Sequence, residues 1–159
     1  MDLAILSRKA LSHLRRDRVG FVFQAYNLIP VLSAFENAEA VLALQGMGKE
    51  ERTSKVMALL AELGLKGMEH RRPDQLSGGQ QQRVAIARAI VANPAVVLAD
   101  EPTANVDSET AEVLLDMMQR LNQELGITFV FSTHDERVMR HARRVVHLVD
   151  GAVASEETR

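Results

Sequence analysis

Residues 96–103 read VVLADEPT, and the change from apolar residues to two adjacent carboxylates decides the fold. With Ala95 in front, AVVLA (95–99) is short, β-branched and without polar alternation, which predicts a buried strand. Strands of that kind belong to parallel sheets covered on both faces by helices. In such sheets ligands gather at the carboxyl ends of the strands, so Asp100 and Glu101 fall on the rim where chemistry is expected. The first carboxylate suits Mg²⁺, held directly or through water, and the second suits orienting and deprotonating an attacking water. Alone, such a pair is also an ordinary helix-capping loop.

The alternation continues outward. VGFVF (19–23), ITFVF (127–131) and RVVHLV (144–149) read as further strands, and Asp150-Gly151 is a turn leading into a short last strand. SETAEVLLDMMQRLNQEL (108–125) is helical, with Leu114, Met117, Met118 and Leu121 on one face, and DERVMRHA (135–142) is a short helix. The first segment is helical in period, with Ser7 as its cap. From Ser33 to about Ala92 the pattern is almost wholly helical. Val56, Leu59, Leu60 and Leu63 share a face there, and Gly64 is the stop. The expectation is one α/β domain over 1–159. It consists of a parallel sheet flanked by helices (1–32 and 93–159) and an inserted helical sub-domain (about 33–92).

With 159 residues, 47% hydrophobic, 25% charged and a formal net charge of −2, the chain has the composition of an ordinary globular domain. The near-neutral balance argues against nucleic acid as a partner. Arg15, Arg16 and Arg18, like Arg140, Arg143 and Arg144, are read as solvated faces. There are no cysteines, which removes disulfides and thiolate metal sites and fits a reducing cytosol. No apolar run approaches the ~18 residues of a membrane span. Asp2, Arg8 and Lys9 interrupt the start too early for a signal peptide.

Three further features carry candidate chemistry, two of them on the expected rim. In LSGGQQQR (76–83), Ser77 offers a hydroxyl, and Gly78 and Gly79 bare the backbone N–H groups at a helix start, where the helix dipole favours an anion. His134 follows an apolar strand in FVFSTHD, which places it beside Asp100 and Glu101 as a hydrogen-bonding contact to a terminal phosphate. Gln24 ends another strand, and its amide oxygen suits Mg²⁺ or the attacking water. Singly, each has a plainer reading: a capped helix, a surface histidine, a loop glutamine.

Together, Gln24 after a strand, LSGGQ, VVLADEPT, ANVD and STHD resemble the ATP-binding-cassette (ABC) ATPases in order and spacing, over nearly the whole chain. The resemblance implies a P-loop NTPase-type sheet, ATP and Mg²⁺ as cofactors, and a site assembled residue by residue. Gln24 would be the Q-loop glutamine, and Ser77, Gly78, Gly79 and Gln80 the signature. Asp100 would be the magnesium-side aspartate, Glu101 the catalytic glutamate, Asp107 the D-loop aspartate and His134 the switch histidine. It also implies two partners: a transmembrane permease, and a second ATPase subunit closing head to tail. The location implied is the cytoplasmic face of the cell membrane. FVFQAYNLIPVLSAFEN and LADEPTANVD are most similar to the lipoprotein-release and macrolide-export branch.

One family element is missing from these residues. A phosphate-binding loop needs Gly-x-x-x-x-Gly-Lys followed by Ser or Thr. The four lysines, Lys9, Lys49, Lys55 and Lys66, precede Ala10, Glu50, Val56 and Gly67. QGMGKEE (45–51) is therefore a decoy, read as a turn between two helices. The expectation is a partial P-loop NTPase-type domain, truncated at its amino-terminal part. Such a chain would not hydrolyse ATP alone, because the backbone amides and lysine that cradle the β- and γ-phosphates are lacking. Two alternatives stay open. One is a non-catalytic interaction subunit docking on a permease or an intact ATPase. The other is a DNA-repair type ABC ATPase, against which stand the compact helical insert, the absence of a coiled-coil arm and the Gln24-to-Ser77 spacing.

Overall fold

A computed structural model describes residues 3–159; Met1 and Asp2 lie outside the described residues, and with them the acidic break in the apolar start expected at Asp2. Val96–Asp100 (β2) is the central strand. Val19–Val22 (β1) and Thr128–Ser132 (β3) flank it, both parallel, with Val22 opposite Ala99 and Asp100 opposite Ser132. The order β1-β2-β3 needs long crossovers between neighbours, and helices supply them.

The β1–β2 crossover carries Ala34–Leu44 (α2), Lys49–Glu62 (α3) and Gly78–Ile90 (α4). Ser33 opens α2 with a reciprocal capping box, its hydroxyl accepting from the Glu36 N–H while the Glu36 carboxylate accepts from its own. The connection over residues 45–48 turns at Gly46 (φ 79°) before Lys49 starts α3, so the glycine-lysine decoy is the turn between two helices. Val56, Leu60 and Leu63 of the predicted stripe are buried against the rest of this unit. Helix α4 is the centre of the molecule. Its buried face, Val84, Ile86, Ala87 and Ile90, packs so closely on β1 that a side chain at Gly20 would meet the Ala89 carbonyl. Arg8–Arg18 (α1) precedes β1 and buries no residue.

Ser108–Leu125 (α5) connects β2 to β3, its Leu114, Leu115, Met118 and Leu121 at most 2% exposed. Each such leucine contributes about 2 kcal/mol of apolar burial. Glu136–His141 (α6) follows β3. Among the described residues no helix is long and apolar enough to cross a membrane.

The α/β class with a parallel sheet flanked by helices is as expected, with two differences in detail. Arg144–Val149 (β4) does not join the parallel sheet. It pairs antiparallel with Ala152–Thr158 (β5), a strand longer than expected, through the Asp150-Gly151 turn, where both residues have positive φ (50° and 79°). An apolar run records that a strand forms but not which strand it meets. Among the described residues the parallel sheet is also covered on one face only. Val97 and Ala99 are buried beneath α4 and α5, while on the opposite face Leu98 is 40% and Val130 is 50% exposed.

Candidate functional site

The carboxyl ends of β1, β2 and β3 form one edge, and the loops that leave it carry the predicted residues. Asp100, the last residue of β2, is exposed, and Gln24 lies on the exposed loop just past β1. Both are oxygen donors of the kind Mg²⁺ prefers. Among the described residues, no group of three or more His, Cys, Asp or Glu side chains is placed to hold an ion.

Glu101 turns away from the strand in the left-handed region, φ 43°. Its N–H still donates to the Ser132 carbonyl at 2.9 Å, so the residue stays tied to β3. Three donors from the β3–α6 loop converge on the carboxylate. Thr133 Oγ1 donates to Oε2 at 2.9 Å, the His134 N–H to Oε1 at 3.1 Å, and the His134 ring places Nδ1 2.5 Å from Oε1. Burial pushes the Glu101 carboxyl up, but the bonds from His134 and Thr133 together outweigh it and hold the group below the usual range. Glu101 is therefore an anion at neutral pH, able to accept a proton. The His134 side chain is 89% exposed beyond its contact with Glu101.

Asp135, beside His134, caps α6 by accepting from the Arg137 N–H. It also pairs with the Arg137 guanidinium, which lowers its carboxyl to about 2. A cavity of about 550 Å³ opens between these residues and the loop after β2, lined by Glu101, Thr103, His134, Asp135, Arg137 and Arg140.

The second cluster lies at the start of α4. Ser77 Oγ accepts from the Gln80 N–H at 3.3 Å, and Gln80 Oε1 accepts from the Ser77 N–H at 3.0 Å, a complete capping box. The side chain of Gln80 is thus committed to the helix end. The two glycines have a packing reason beyond backbone exposure. A Cβ at Gly78 would lie 2.9 Å from the Tyr26 hydroxyl and 3.2 Å from the Asn105 carbonyl, and one at Gly79 would lie 2.6 Å from Thr110 Cγ2. Asp107 caps α5, accepting from the Thr110 N–H at 2.9 Å and its hydroxyl at 2.7 Å, and these bonds hold its carboxyl below the usual range. Gln82, 1% exposed, donates to the Pro102 carbonyl and so joins α4 to the Glu101 loop, while its Oε1 has no partner among the described residues.

The structure therefore brings Glu101 and His134 together. It also gathers the loops of Gln24, Ser77–Gly79 and Asp107 around Tyr26, Asn105 and Thr110. Sequence reasoning misses those last three. Tyr26 is the only tyrosine of the chain, and that is the one available signal.

Residues 4–104 match the protein family described as ABC transporter. The chain is 45% identical over 152 residues to the ABC transporter ATP-binding protein YtrE of Bacillus subtilis (strain 168), covering 96% of this chain and 66% of that protein. It is 44% identical over 155 residues to the macrolide export ATP-binding/permease protein MacB of Escherichia coli, covering 98% of this chain and 24% of that protein. A dimeric structure of the ATP-binding cassette MJ0796 of Methanocaldococcus jannaschii, bound to ADP and Pi in a post-hydrolysis state, superposes with a TM-score of 0.88 at 44% identity. That match covers 99% of this chain and 70% of the other. The chain spans just under two thirds of YtrE and about a quarter of MacB. With its fold, its rim residues and these relatives in agreement, the chain belongs to the ABC transporter family.

Proposed function

We propose that this chain supplies the signature half of an ATP site in an ABC transporter, acting on ATP held by a second ATPase subunit in a head-to-tail dimer. The start of α4 supports this best. Ser77 Oγ accepts from the helix, which leaves its hydroxyl proton to donate outward. The N–H groups of Gly78 and Gly79 precede any intrahelical acceptor, and the helix dipole adds positive charge at the same end. A γ-phosphate presented there would receive all three donors. The dimeric form of the MJ0796 cassette and the ATP-binding/permease name of MacB support the two partners, a second cassette and a permease. Through the permease the chain would sit on the cytoplasmic face of the membrane.

The remaining rim residues fit the other half of such a site, on this chain's own side. Asp100 and Gln24 would hold Mg²⁺, and Asp107 would face the nucleotide from the loop before α5. When bound, the cation neutralises phosphate charge. Glu101 would accept the proton of an attacking water, and His134 would keep Glu101 oriented and reach the terminal phosphate. No lysine of these 159 residues stands in a phosphate-binding loop. The proposal is therefore that this chain by itself binds ATP weakly and turns it over at background rate. Residues 33–92 would act as a helical sub-domain that carries the signature toward the partner.

The test is an ATPase assay of the purified heterodimer with an intact homologous cassette. Activity should be abolished by Ser77→Arg in this chain, and equally by replacing the loop lysine of the intact partner. Full activity with Ser77→Arg would reject the half-site.

A further inference from the structure

We propose that Tyr26, Asn105 and Arg88 are positioning residues that fasten the Gln24 loop, the loop before Asp107 and the glycine end of α4 into one body. The inference rests on the reading of these segments as nucleotide-facing, but its geometry stands on its own. Asn105 Nδ2 donates to the Gln24 carbonyl at 2.7 Å, and the Tyr26 hydroxyl donates to the Asn105 carbonyl at 2.9 Å. Arg88, ten residues along α4 from Gly78, donates to the carbonyls of Asn27 and Tyr26 at 2.5 and 2.9 Å. The circuit closes through the helix itself, because the Tyr26 hydroxyl lies only 2.9 Å from where a Gly78 Cβ would stand.

Two features mark this as a brace and not as loose loop contact. Tyr26 and Asn27 both lie in the left-handed region, φ 59° and 48°. Asparagine adopts this region readily, but for a bulky residue such as tyrosine it is uncommon and is held where the surroundings over-determine it. The Arg88 guanidinium is partly buried, and burial pushes its basicity down. Among the described residues no carboxylate forms an ion pair with it, and its partners are the carbonyls of Tyr26 and Asn27. Its charge-assisted bonds hold those two carbonyls in place. Gln24 therefore cannot shift without Asn105 and α4 shifting too.

The experiment is amide exchange by nuclear magnetic resonance on the whole chain, wild type against Tyr26→Phe, Asn105→Ala and Arg88→Ala. It reads residues 25–27, the Gln80 and Gln81 amides and the Asn105 side-chain amide. Tyr26→Phe and Arg88→Ala should each raise exchange about tenfold at all three segments, and Asn105→Ala should do so at residues 25–27 and at the Gln80 and Gln81 amides, including segments the substituted side chain does not touch. A rise confined to the substituted segment would overturn the brace. Tyr26→Phe, which removes one oxygen and keeps the ring, carries the test by itself should Arg88→Ala fail to fold. In the heterodimer with an intact cassette, Tyr26→Phe should lower kcat about tenfold and leave KM for ATP unchanged; an unchanged kcat would overturn the positioning role. A wild-type heterodimer without ATPase activity would sink the functional reading alone, and the exchange pattern would still decide whether the brace exists.

Discussion

Glu101 and His134, on the loops after two neighbouring strands, meet with Nδ1 of the histidine 2.5 Å from Oε1 of the glutamate. Parallel pairing of β2 with β3 makes this possible, since it brings both strands to the same edge in register. The contact sets the state of the glutamate. Removing the ring in His134→Ala withdraws the principal bond that holds the Glu101 carboxyl below its usual range, while the burial that pushes it up remains. The Glu101 pKa should therefore rise, as read by carbon-detected titration. In the wild type, a depressed folded pKa contributes stability above the ordinary glutamate range, and that stability is lost as pH falls through the folded value. His134→Ala should flatten this part of the stability profile.

Asp135 gives a second acid-side prediction. With its carboxyl lowered from 3.8 to about 2 by Arg137, its contribution is complete above the ordinary aspartate pKa and disappears as pH falls toward about 2. Asp135→Asn keeps a cap for α6 but loses the charge. It should cost about 1 kcal/mol at neutral pH and remove the stability slope between roughly pH 4 and 2, measured by urea unfolding across that range.

Gly79→Ala tests the close packing of the second signature glycine. The new methyl would fall 2.6 Å from Thr110 Cγ2, a contact that forces either residue to move. A destabilisation of about 1–3 kcal/mol is expected, as for other overpacked sites. Thr110→Ser removes that methyl while keeping the hydroxyl that serves Asp107, so the double variant should recover most of the loss in thermal unfolding.

The open face of the sheet should make the isolated chain self-associate. Leu98 and Val130 stand opposite one another across β2 and β3, both well exposed, with Phe21 level with Leu98 on β1. Contiguous apolar surface of this kind drives association. Leu98→Thr with Val130→Thr should shift the sedimentation profile toward monomer. A wild type that sediments as a monomer at all concentrations would refute the expectation.

For nucleotide, calorimetry of the isolated chain with ATP should detect only weak binding. Tight binding with turnover abolished by Glu101→Gln would overturn the half-site proposal.

Much of this is legible in sequence because it is local. The stripe of Leu114, Met118 and Leu121 identifies the buried face of α5, and the polar break after Ala99 locates the end of β2. The same local reading cannot choose pairing partners, which is why RVVHLV reads as a strand of the parallel sheet although it pairs antiparallel with β5. Nor can it see Tyr26 reach Asn105, because those residues are brought together only after β1 and β2 align. The logic of strand ends places Glu101 and His134 on one rim. Their direct contact, and the positive φ at Glu101 that permits it, depend on a backbone turn that no residue type announces.

The packing around Gly78 and Gly79 constrains how this sequence can drift. If selection for nucleotide binding were to lapse, neither glycine would become free to vary, since the Tyr26 hydroxyl and the Thr110 methyl already occupy the space beside them. A descendant would first have to trim Tyr26 and Thr110, and only then would larger residues be admitted. Gly78 and Gly79 would thus persist on packing grounds alone, kept in place by their neighbours.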